Sequence, residues 1–366
     1  MLSEKRTEPV MPKAIQVLVV DDSTFMRKSL SAMLTSDPRI AVAGMARNGE
    51  EALQQVKALK PDVVTMDVEM PGMNGIEAVR RIMAEYPVPI VMVSSLTTEG
   101  ASDTLQALEF GAVDYVPKQL DGVATNIVEI ERELIAKIVA ASQATGKLAI
   151  RQSSGLMSPI LKPSGGALSA HSVSVTRGNR IVAIGCSTGG PQALMEVLPN
   201  FPADFPAAIV IVQHMPKTFT KPFADRMNQI CPLEVKEAVD GEEVRAGVVL
   251  IAPGGQQFRV KKKNITTNIV SLSPNYEKHL HAPAADIMLQ SVAALYGERG
   301  IGIILTGMGH DGLEGMKAIK ASKGRTIAQD ENTCIVYGMP KAVVEAGCAD
   351  KVVPLPHIVG EVLNMV

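Results

Sequence analysis

Three acidic side chains follow apolar segments in the first third of the chain. Asp21 and Asp22 come directly after IQVLVV, and Asp67 comes directly after DVVTM. If these segments are parallel strands, their carboxyl ends meet in one crevice and the carboxylates converge there. Their mutual repulsion is relieved by a divalent cation, and all-oxygen ligation with room for water suits Mg²⁺.

A hydroxyl group and an ammonium group are predicted at the same edge. Ser94 lies at the end of PIVMVSS, and Lys118 ends AVDYVPK. Any one of the acids alone is as well explained by a strand end that faces solvent. The whole set predicts phosphoryl transfer to a carboxylate, because the metal and the lysine together offset the phosphoryl charge.

A serine stands in a glycine-rich turn in the second half of the chain. The segment IVAIGCSTGGPQALMEVL has the pattern strand, tight turn, helix, and Gly185, Ser187 and Gly189 spell G-x-S-x-G. Small neighbours let the chain turn sharply and hold the hydroxyl at a helix N-terminus, where backbone N–H groups can receive an oxyanion. The same pattern also suits an ordinary turn or a phosphate cradle, so a nucleophile requires partners.

His214 and Asp311 are the predicted partners of this serine. Among the six histidines, His214 directly ends a strongly apolar strand, AAIVIVQH, which places it at a sheet edge as Ser187 is. Asp311 follows the strand GIGIILTG in a glycine-rich loop. The order Ser, His, Asp differs from that of α/β-hydrolases, but a triad is defined by geometry and not by order.

The same loop allows a competing interpretation. Gly307, Gly309 and Gly312 spell G-x-G-x-x-G after a strand, and Asp330 ends another strand about 20 residues later, as in a dinucleotide-binding fingerprint. This alternative leaves Ser187 without a role.

The elements that must position these residues form two α/β series. Residues 15–118 alternate five continuous apolar strands with segments of helix length, and a last helix is predicted at 125–140. Continuous apolar strands indicate a parallel, doubly wound sheet covered on both faces. A second series begins at IVAIG, and QFRVKKKNITTNIVSL in it is typical of a β-hairpin. The predicted division is a disordered extension at 1–13, a first domain at 14–141, a flexible Ser-, Gly- and Pro-rich linker at 142–177 and a second domain at 178–366.

Composition excludes several classes of function. The net charge of −2 and the 3% of aromatic residues without Trp do not favour a nucleic-acid partner. The four cysteines lack metal-ligand spacing and are expected to be reduced thiols. No apolar run suits a membrane span or a secretion signal, so we expect a cytoplasmic protein that starts at Met1 or Met11 and is not membrane-embedded.

The first half resembles the flavodoxin-like receiver domain of response regulators. VVDDS, MDVEMPGMNG, MVSS and YVPK carry the resemblance in this order, over about residues 14–135. It implies that a partner histidine kinase phosphorylates Asp67, and Ser94 stands where many receivers have Thr. The other implied roles are Mg²⁺ ligation by Asp22, Asp67 and the backbone carbonyl of Glu69, assistance through water by Asp21, the switch hydroxyl of Ser94 and the phosphoryl contact of Lys118.

The second half is similar to the catalytic domain of chemotaxis protein-glutamate methylesterases. IGCSTGGPQAL, VQHMP, IAPGGQQF, LTGMGHDG and VYGMPKAV carry this resemblance. It implies Ser187 as nucleophile, His214 as general base, Asp311 as its orienter and the Met308 N–H as oxyanion donor. HAPAAD at 281–286 stands where the family usually has HRPSVD, so Ala282 replaces an arginine.

Together the resemblances imply a phosphorylation-activated enzyme of chemotaxis adaptation. The expected reaction is hydrolysis of glutamate γ-methyl esters on the cytoplasmic helices of chemoreceptors, with deamidation of glutamines as a related acyl transfer. Mg²⁺ serves the receiver, and no cofactor is expected for the esterase step. The alternative is a response regulator whose output domain binds DNA or a protein, for which a compact basic helix-turn-helix would be expected.

Overall fold

The chain folds into two parallel sheets covered by helices. The computed structural model describes residues 13–95, 97–118, 124–144, 180–276 and 279–366. The predicted fold class, two α/β domains with parallel sheets, is confirmed. The predicted extension at 1–13 and linker at 142–177 lie outside the described residues, except for Lys13 and residues 142–144.

The first sheet has five parallel strands in the order β2-β1-β3-β4-β5. Most of their residues are buried because helices cover both faces, which explains why the strands are apolar without alternation. The strands are β1 (Ile15–Val20), β2 (Ile40–Ala46), β3 (Val63–Asp67), β4 (Ile90–Ser95) and β5 (Asp114–Lys118).

Polar side chains define the beginnings of four helices in this half. Ser23, Asn48, Asn74 and Thr97 each accept a hydrogen bond from a backbone N–H in the first turn of the helix that follows. The last helix runs two residues beyond the predicted end, through Ser142. The helices are α1 (Thr24–Thr35), α2 (Gly49–Leu59), α3 (Gly75–Glu85), α4 (Thr98–Glu109) and α5 (Ala124–Ser142).

The second sheet has seven parallel strands in the order β14-β13-β12-β6-β7-β9-β8. Its central strands β12, β6 and β7 are entirely buried. An antiparallel hairpin of β10 and β11 lies apart from it, as predicted. The strands are β6 (Ile181–Cys186), β7 (Ala208–Gln213), β8 (Glu234–Glu237), β9 (Val248–Ile251), β10 (Gln256–Lys262), β11 (Asn268–Pro274), β12 (Gly300–Ile304), β13 (Arg325–Gln329) and β14 (Lys351–Val353).

Six helices accompany the second sheet in the described part of the chain. Two of them begin directly after the strands that carry the predicted catalytic residues, β6 and β7. The helices are α6 (Gly190–Val197), α7 (Lys217–Ile230), α8 (Ala285–Tyr296), α9 (Leu313–Ala321), α10 (Met339–Glu345) and α11 (Ile358–Leu363).

Helix α4 and strand β5 of the first half contact α6 and α7 of the second. Glu109 binds Arg226 through two hydrogen bonds of 2.5 and 2.8 Å. The ring of Tyr115 stacks on that of Phe219, with centroids 4.4 Å apart. The amide of Gln192 donates to the carbonyls of residues 108 and 112, at 3.1 and 2.5 Å. The first half therefore contacts the two helices that begin beside the predicted esterase residues.

Candidate functional site

The acidic side chains of the first half meet at the carboxyl ends of β1 and β3. One carboxylate oxygen from each of Asp21, Asp22 and Asp67 lies within 4.8 Å of the others. Lys118 at the end of β5 contacts Asp21 at 2.8 Å and Asp67 at 2.7 Å. This is the convergence expected of parallel strand ends, and three carboxylates so close together suit a divalent cation with oxygen ligands.

Burial dominates the electrostatics of Asp67. Its side chain is almost fully buried, and this desolvation raises the pKa of Asp67 to about 6, against the opposing effect of the Lys118 ammonium group. The charge of Asp21 adds to the rise. The N–H of Glu69 donates weakly to Asp67, at 3.4 Å. Asp67 therefore has few donors of its own, which suits a carboxylate that receives a phosphoryl group.

Ser94 lies at the end of β4, but its hydroxyl is engaged elsewhere. The Oγ atom is buried and donates to the Gly100 carbonyl at 3.1 Å or to the Ser95 carbonyl at 3.3 Å. Gly100 belongs to the first turn of α4, and the Thr104 hydroxyl donates to the same carbonyl at 2.6 Å. The Ser94 hydroxyl is thus tied to the helix that contacts the second half.

Ser187 follows β6 at the start of a tight turn into α6. Its N–H donates to the Thr306 carbonyl at 3.1 Å, which links it to the end of β12. Gly189 has a φ of +75°, a conformation that glycine adopts without strain. A Cβ atom on Gly307 would lie 2.9 Å from the Cβ of Ser187, so the loop after β12 approaches the serine closely because residue 307 lacks a side chain. The backbone of Met308 follows directly.

The side chain of Gln213 joins the loops that carry Ser187 and His214. It is buried, and its amide nitrogen donates to the carbonyls of Ser187 at 3.1 Å and His214 at 3.0 Å. The His214 N–H donates in turn to the Cys186 carbonyl at 3.2 Å. Sequence reasoning missed Gln213, although its position directly before His214 in VQHMP was a usable signal.

The structure brings His214 and Asp311 together across 97 residues of sequence. The Nε2 atom of His214 lies 2.7 Å from the Oδ2 atom of Asp311. The other ring nitrogen, Nδ1, is buried and has no hydrogen-bond partner among the described residues. A proton on Nε2, donated to the carboxylate, leaves the Nδ1 lone pair available to accept a proton.

Asp311 lies at the N-terminus of α8. It accepts hydrogen bonds from the N–H groups of Ala285 at 2.6 Å and Asp286 at 3.0 Å, and from that of Gly312 at 3.0 Å. Burial raises the pKa of Asp311, but the hydrogen bond and charge of His214 and these backbone donors outweigh it, and the pKa falls to about 2. Asp311 is therefore ionised at neutral pH, and the role of α8 in holding it had no signal in the sequence.

Asp330, the acidic residue of the competing dinucleotide interpretation, is engaged in a local turn. Its Oδ1 atom accepts hydrogen bonds from the N–H and the hydroxyl of Thr333. Gly307 is already explained by its contact with Ser187. The geometry thus favours the esterase interpretation.

Cys186 is buried beside Ser187, and its burial raises the pKa of the thiol well above its usual range. The thiol is therefore not a competing nucleophile. In the part of the chain that the structure describes, no helix is both long and apolar enough to cross a membrane.

The two sites and the parallel sheets define a class of protein, a response regulator with a hydrolase domain. The family model described as response regulator receiver domain matches residues 17–126, and the one described as CheB methylesterase matches residues 182–362. The chain is 48% identical to protein-glutamate methylesterase/protein-glutamine glutaminase 1 of Oleidesulfovibrio alaskensis, over 96% of this chain and 99% of the relative. It is 44% identical to a protein-glutamate methylesterase/protein-glutamine glutaminase of Pyrococcus horikoshii, over 98% of this chain and 95% of the relative.

A solved structure supports the second half separately. The crystal structure of the Thermotoga maritima CheB methylesterase catalytic domain is 44% identical, with a TM-score of 0.50, and covers 52% of this chain and 100% of its own. The chain belongs to the family of protein-glutamate methylesterases/protein-glutamine glutaminases that carry a receiver domain.

Proposed function

We propose that this protein hydrolyses glutamate γ-methyl esters on the cytoplasmic helices of chemoreceptors, with Ser187, His214 and Asp311 as its catalytic triad. The observation that carries the proposal is the 2.7 Å contact between His214 and Asp311 beside the loop of Ser187. A DNA-binding output domain is not favoured, because the described residues of the second half contain a seven-stranded parallel sheet accompanied by helices.

The reaction is an acyl transfer in two steps. The Ser187 Oγ attacks the ester carbonyl while His214 Nδ1 accepts the hydroxyl proton, and the Met308 N–H donates to the oxyanion. His214 then returns the proton to the leaving oxygen, which departs as methanol and leaves an acyl-serine. Water, deprotonated by His214, attacks that ester, and His214 returns the proton to the Ser187 Oγ as the glutamate carboxylate of the receptor leaves. A glutamine side chain follows the same course with ammonia as the leaving group.

Asp311 holds the imidazole in the tautomer that this sequence of steps requires. Because its pKa is about 2, it remains an ionised acceptor for the Nε2–H group of His214. Its charge also stabilises the imidazolium that forms when Nδ1 accepts the serine proton.

The test of the triad uses methylated receptor membranes and purified protein. Ser187→Ala removes the nucleophile, and we expect it to abolish methanol release while a small phosphodonor still labels Asp67. The intact labelling shows that the receiver half is folded, and an unchanged thermal unfolding transition shows the same for the half that carries the substitution. Methanol release at the wild-type rate by this variant would refute the assignment.

The receiver site is proposed to take a phosphoryl group from the chemotaxis histidine kinase onto Asp67. The convergent carboxylates fit Mg²⁺, with Asp22, Asp67 and the Glu69 carbonyl as ligands and Asp21 acting through water. When bound, the ion neutralises phosphoryl charge, and Lys118 contributes a second cation at the same oxygens. We place the protein in the cytoplasm, where kinase and receptor helices are both accessible.

Metal dependence tests this site. With Mg²⁺ chelated, or in Asp67→Asn, we expect no acid-stable, base-labile acyl phosphate on the chain after incubation with a small phosphodonor. Labelling that persists under either condition would place the phosphoryl group on another residue.

We further propose that the unphosphorylated receiver restrains the esterase through α4. Ser94 must leave the Gly100 carbonyl to reach a phosphoryl group on Asp67, which frees the first turn of α4. The other end of α4 carries Glu109, which pairs with Arg226 on the helix that follows His214. Removing residues 1–141 should then raise basal activity by roughly 5- to 150-fold, the range of a coupling of about 1 to 3 kcal/mol.

A truncated enzyme that is slower than the unphosphorylated whole chain would show that the receiver assembles the site or docks the substrate. The same assay on receptors with glutamine at the methylation sites, read out as ammonia, decides whether deamidation accompanies ester hydrolysis.

A further inference from the structure

A second histidine lies face to face with the catalytic base. The imidazole rings of His214 and His281 have centroids 3.9 Å apart and planes inclined by 18°. This parallel contact covers a face of the His214 ring while the ring edge bonds to Asp311. The proposed triad alone leaves His281 without a role.

The buried side chain of Gln257 binds the backbone on both sides of Ala282 and Pro283. The Gln257 amide nitrogen donates to the His281 carbonyl at 2.7 Å, and its oxygen accepts the Ala284 N–H at 2.9 Å. The Gly255 N–H donates to the Ala282 carbonyl at 2.9 Å. Both ends of the short segment 281–284 are therefore anchored to β10, and this limits how far the His281 ring can move.

The same segment leads directly into the donors that hold Asp311. Ala285 and Asp286, which start α8, donate to the two carboxylate oxygens of Asp311. One anchored stretch, 281–286, thus contacts the base through a ring face and the orienting acid through two backbone N–H groups. The base and the acid keep their relative position because both bind to this stretch.

Burial is the main reason that the His281 ring stays neutral. Burial and the neighbouring imidazoles of His214 and His310 lower the pKa of His281 to about 4, against the opposing charge of Asp311. A neutral ring can lie against His214 both before and after His214 becomes an imidazolium, since an aromatic face attracts a cation. A protonated neighbour would repel that imidazolium.

We propose that His281 is a positioning residue, which by stacking holds the His214 imidazole in the orientation that bonds Nε2 to Asp311 and leaves Nδ1 open to accept the serine proton. This inference rests on the proposed triad. It assigns the function to the flat face of the His281 ring and not to its nitrogens. The base is then aligned without the arginine that the family usually has at the position of Ala282.

The experiment compares three variants of the full chain on methylated receptor membranes. His281→Phe keeps a flat ring, His281→Ala removes it, and His281→Leu fills the space without a planar face. We expect His281→Ala and His281→Leu to lower kcat on the order of 10- to 100-fold with KM unchanged, because a small displacement of a catalytic group has effects of this size. His281→Phe should recover most of the wild-type kcat. His279→Ala, an exposed histidine two residues earlier, is the matched control.

A second readout does not depend on the substrate. The proton shared by His214 and Asp311 should give a low-field resonance in ¹H NMR that persists in His281→Phe and is lost by exchange in His281→Ala. If neither the wild type nor any variant releases methanol, the proposed function fails, but this resonance still tests whether His281 positions His214. Wild-type kcat and an intact resonance in His281→Ala would overturn the inference, and so would a His281→Phe variant as slow as His281→Ala. An unchanged thermal unfolding transition of the full chain, followed by circular dichroism, shows that the second half of each variant is folded.

Discussion

The receiver and esterase sites each contain an aspartate that follows a strand, a buried one at 67 and a partly buried one at 311, in two different electrostatic settings. Burial raises the pKa of both Asp67 and Asp311, yet the final values are about 6 and about 2. Asp67 has one long backbone hydrogen bond and a lysine shared with Asp21. Asp311 accepts hydrogen bonds from three backbone N–H groups and from the His214 imidazole.

The difference suits the two roles proposed above, a carboxylate that receives a phosphoryl group at Asp67 and one that stays ionised at Asp311. A carboxylate with many fixed donors stays ionised and holds its partner in one orientation, which suits the orienter of a general base. A carboxylate with few donors remains open to a metal ion and a phosphoryl group. The same residue type at the same kind of sheet edge therefore acquires its function from the number of donors around it.

Removing the charge of Asp311, the aspartate with many hydrogen-bond donors, should have the largest effect on activity. Asp311→Asn keeps the shape, but its amide can donate to Nε2 and so favours the wrong imidazole tautomer. We expect kcat to fall on the order of 10⁴-fold, as for the equivalent change in other triads. A loss of tenfold or less in the methanol assay would move the orienting role away from Asp311.

At the receiver site, removing the charge of Asp67 is expected to stabilise the protein. The raised pKa of Asp67 means that its ionised form destabilises the fold in metal-free buffer. The destabilisation is absent at low pH, where the carboxyl is protonated both folded and unfolded, and it develops as the pH rises from about 4 to about 6. Asp67→Asn should then increase the free energy of unfolding at pH 7 on the order of 1 to 3 kcal/mol, since one pKa unit corresponds to about 1.4 kcal/mol.

Denaturant titrations with a chelator present, at pH 4 and pH 7, measure this difference. Glu69→Gln, which neutralises an exposed acid at the same edge, is the control and should have little effect. Equal stability of wild type and Asp67→Asn at pH 7 would show that Lys118 fully compensates the burial of the carboxylate.

The smallest effect is expected at the contact between the two halves. Arg226→Ala breaks the ion pair with Glu109 and should raise the esterase activity of the unphosphorylated protein about two- to fivefold, as expected for a partly exposed pair worth about 1 kcal/mol or less. Lys221→Ala, which breaks an exposed pair with Asp225 on the same helix, should leave activity unchanged. A decrease with Arg226→Ala would contradict restraint by the receiver.

Much of each site could be predicted because its residues follow strands. A continuous apolar strand is recognisable locally, and parallel strands bring their carboxyl ends to one edge whatever their order. This is why Asp21, Asp67 and Lys118 could be expected to meet. It also explains why His214 and Asp311 could be singled out beside a G-x-S-x-G turn.

The sequence by itself thus determined the two α/β series, the family and the residue types at the strand ends, because each depends on short-range pattern. Only the tertiary structure decided how those residues are held. The amide of Gln213 between two loops, the α8 donors on Asp311, the ring of His281 and the pair of Glu109 with Arg226 each join segments whose distance depends on strand order and packing. No local periodicity encodes such contacts, since a hydrogen bond or a ring stack between distant segments depends on where the whole fold places their backbones.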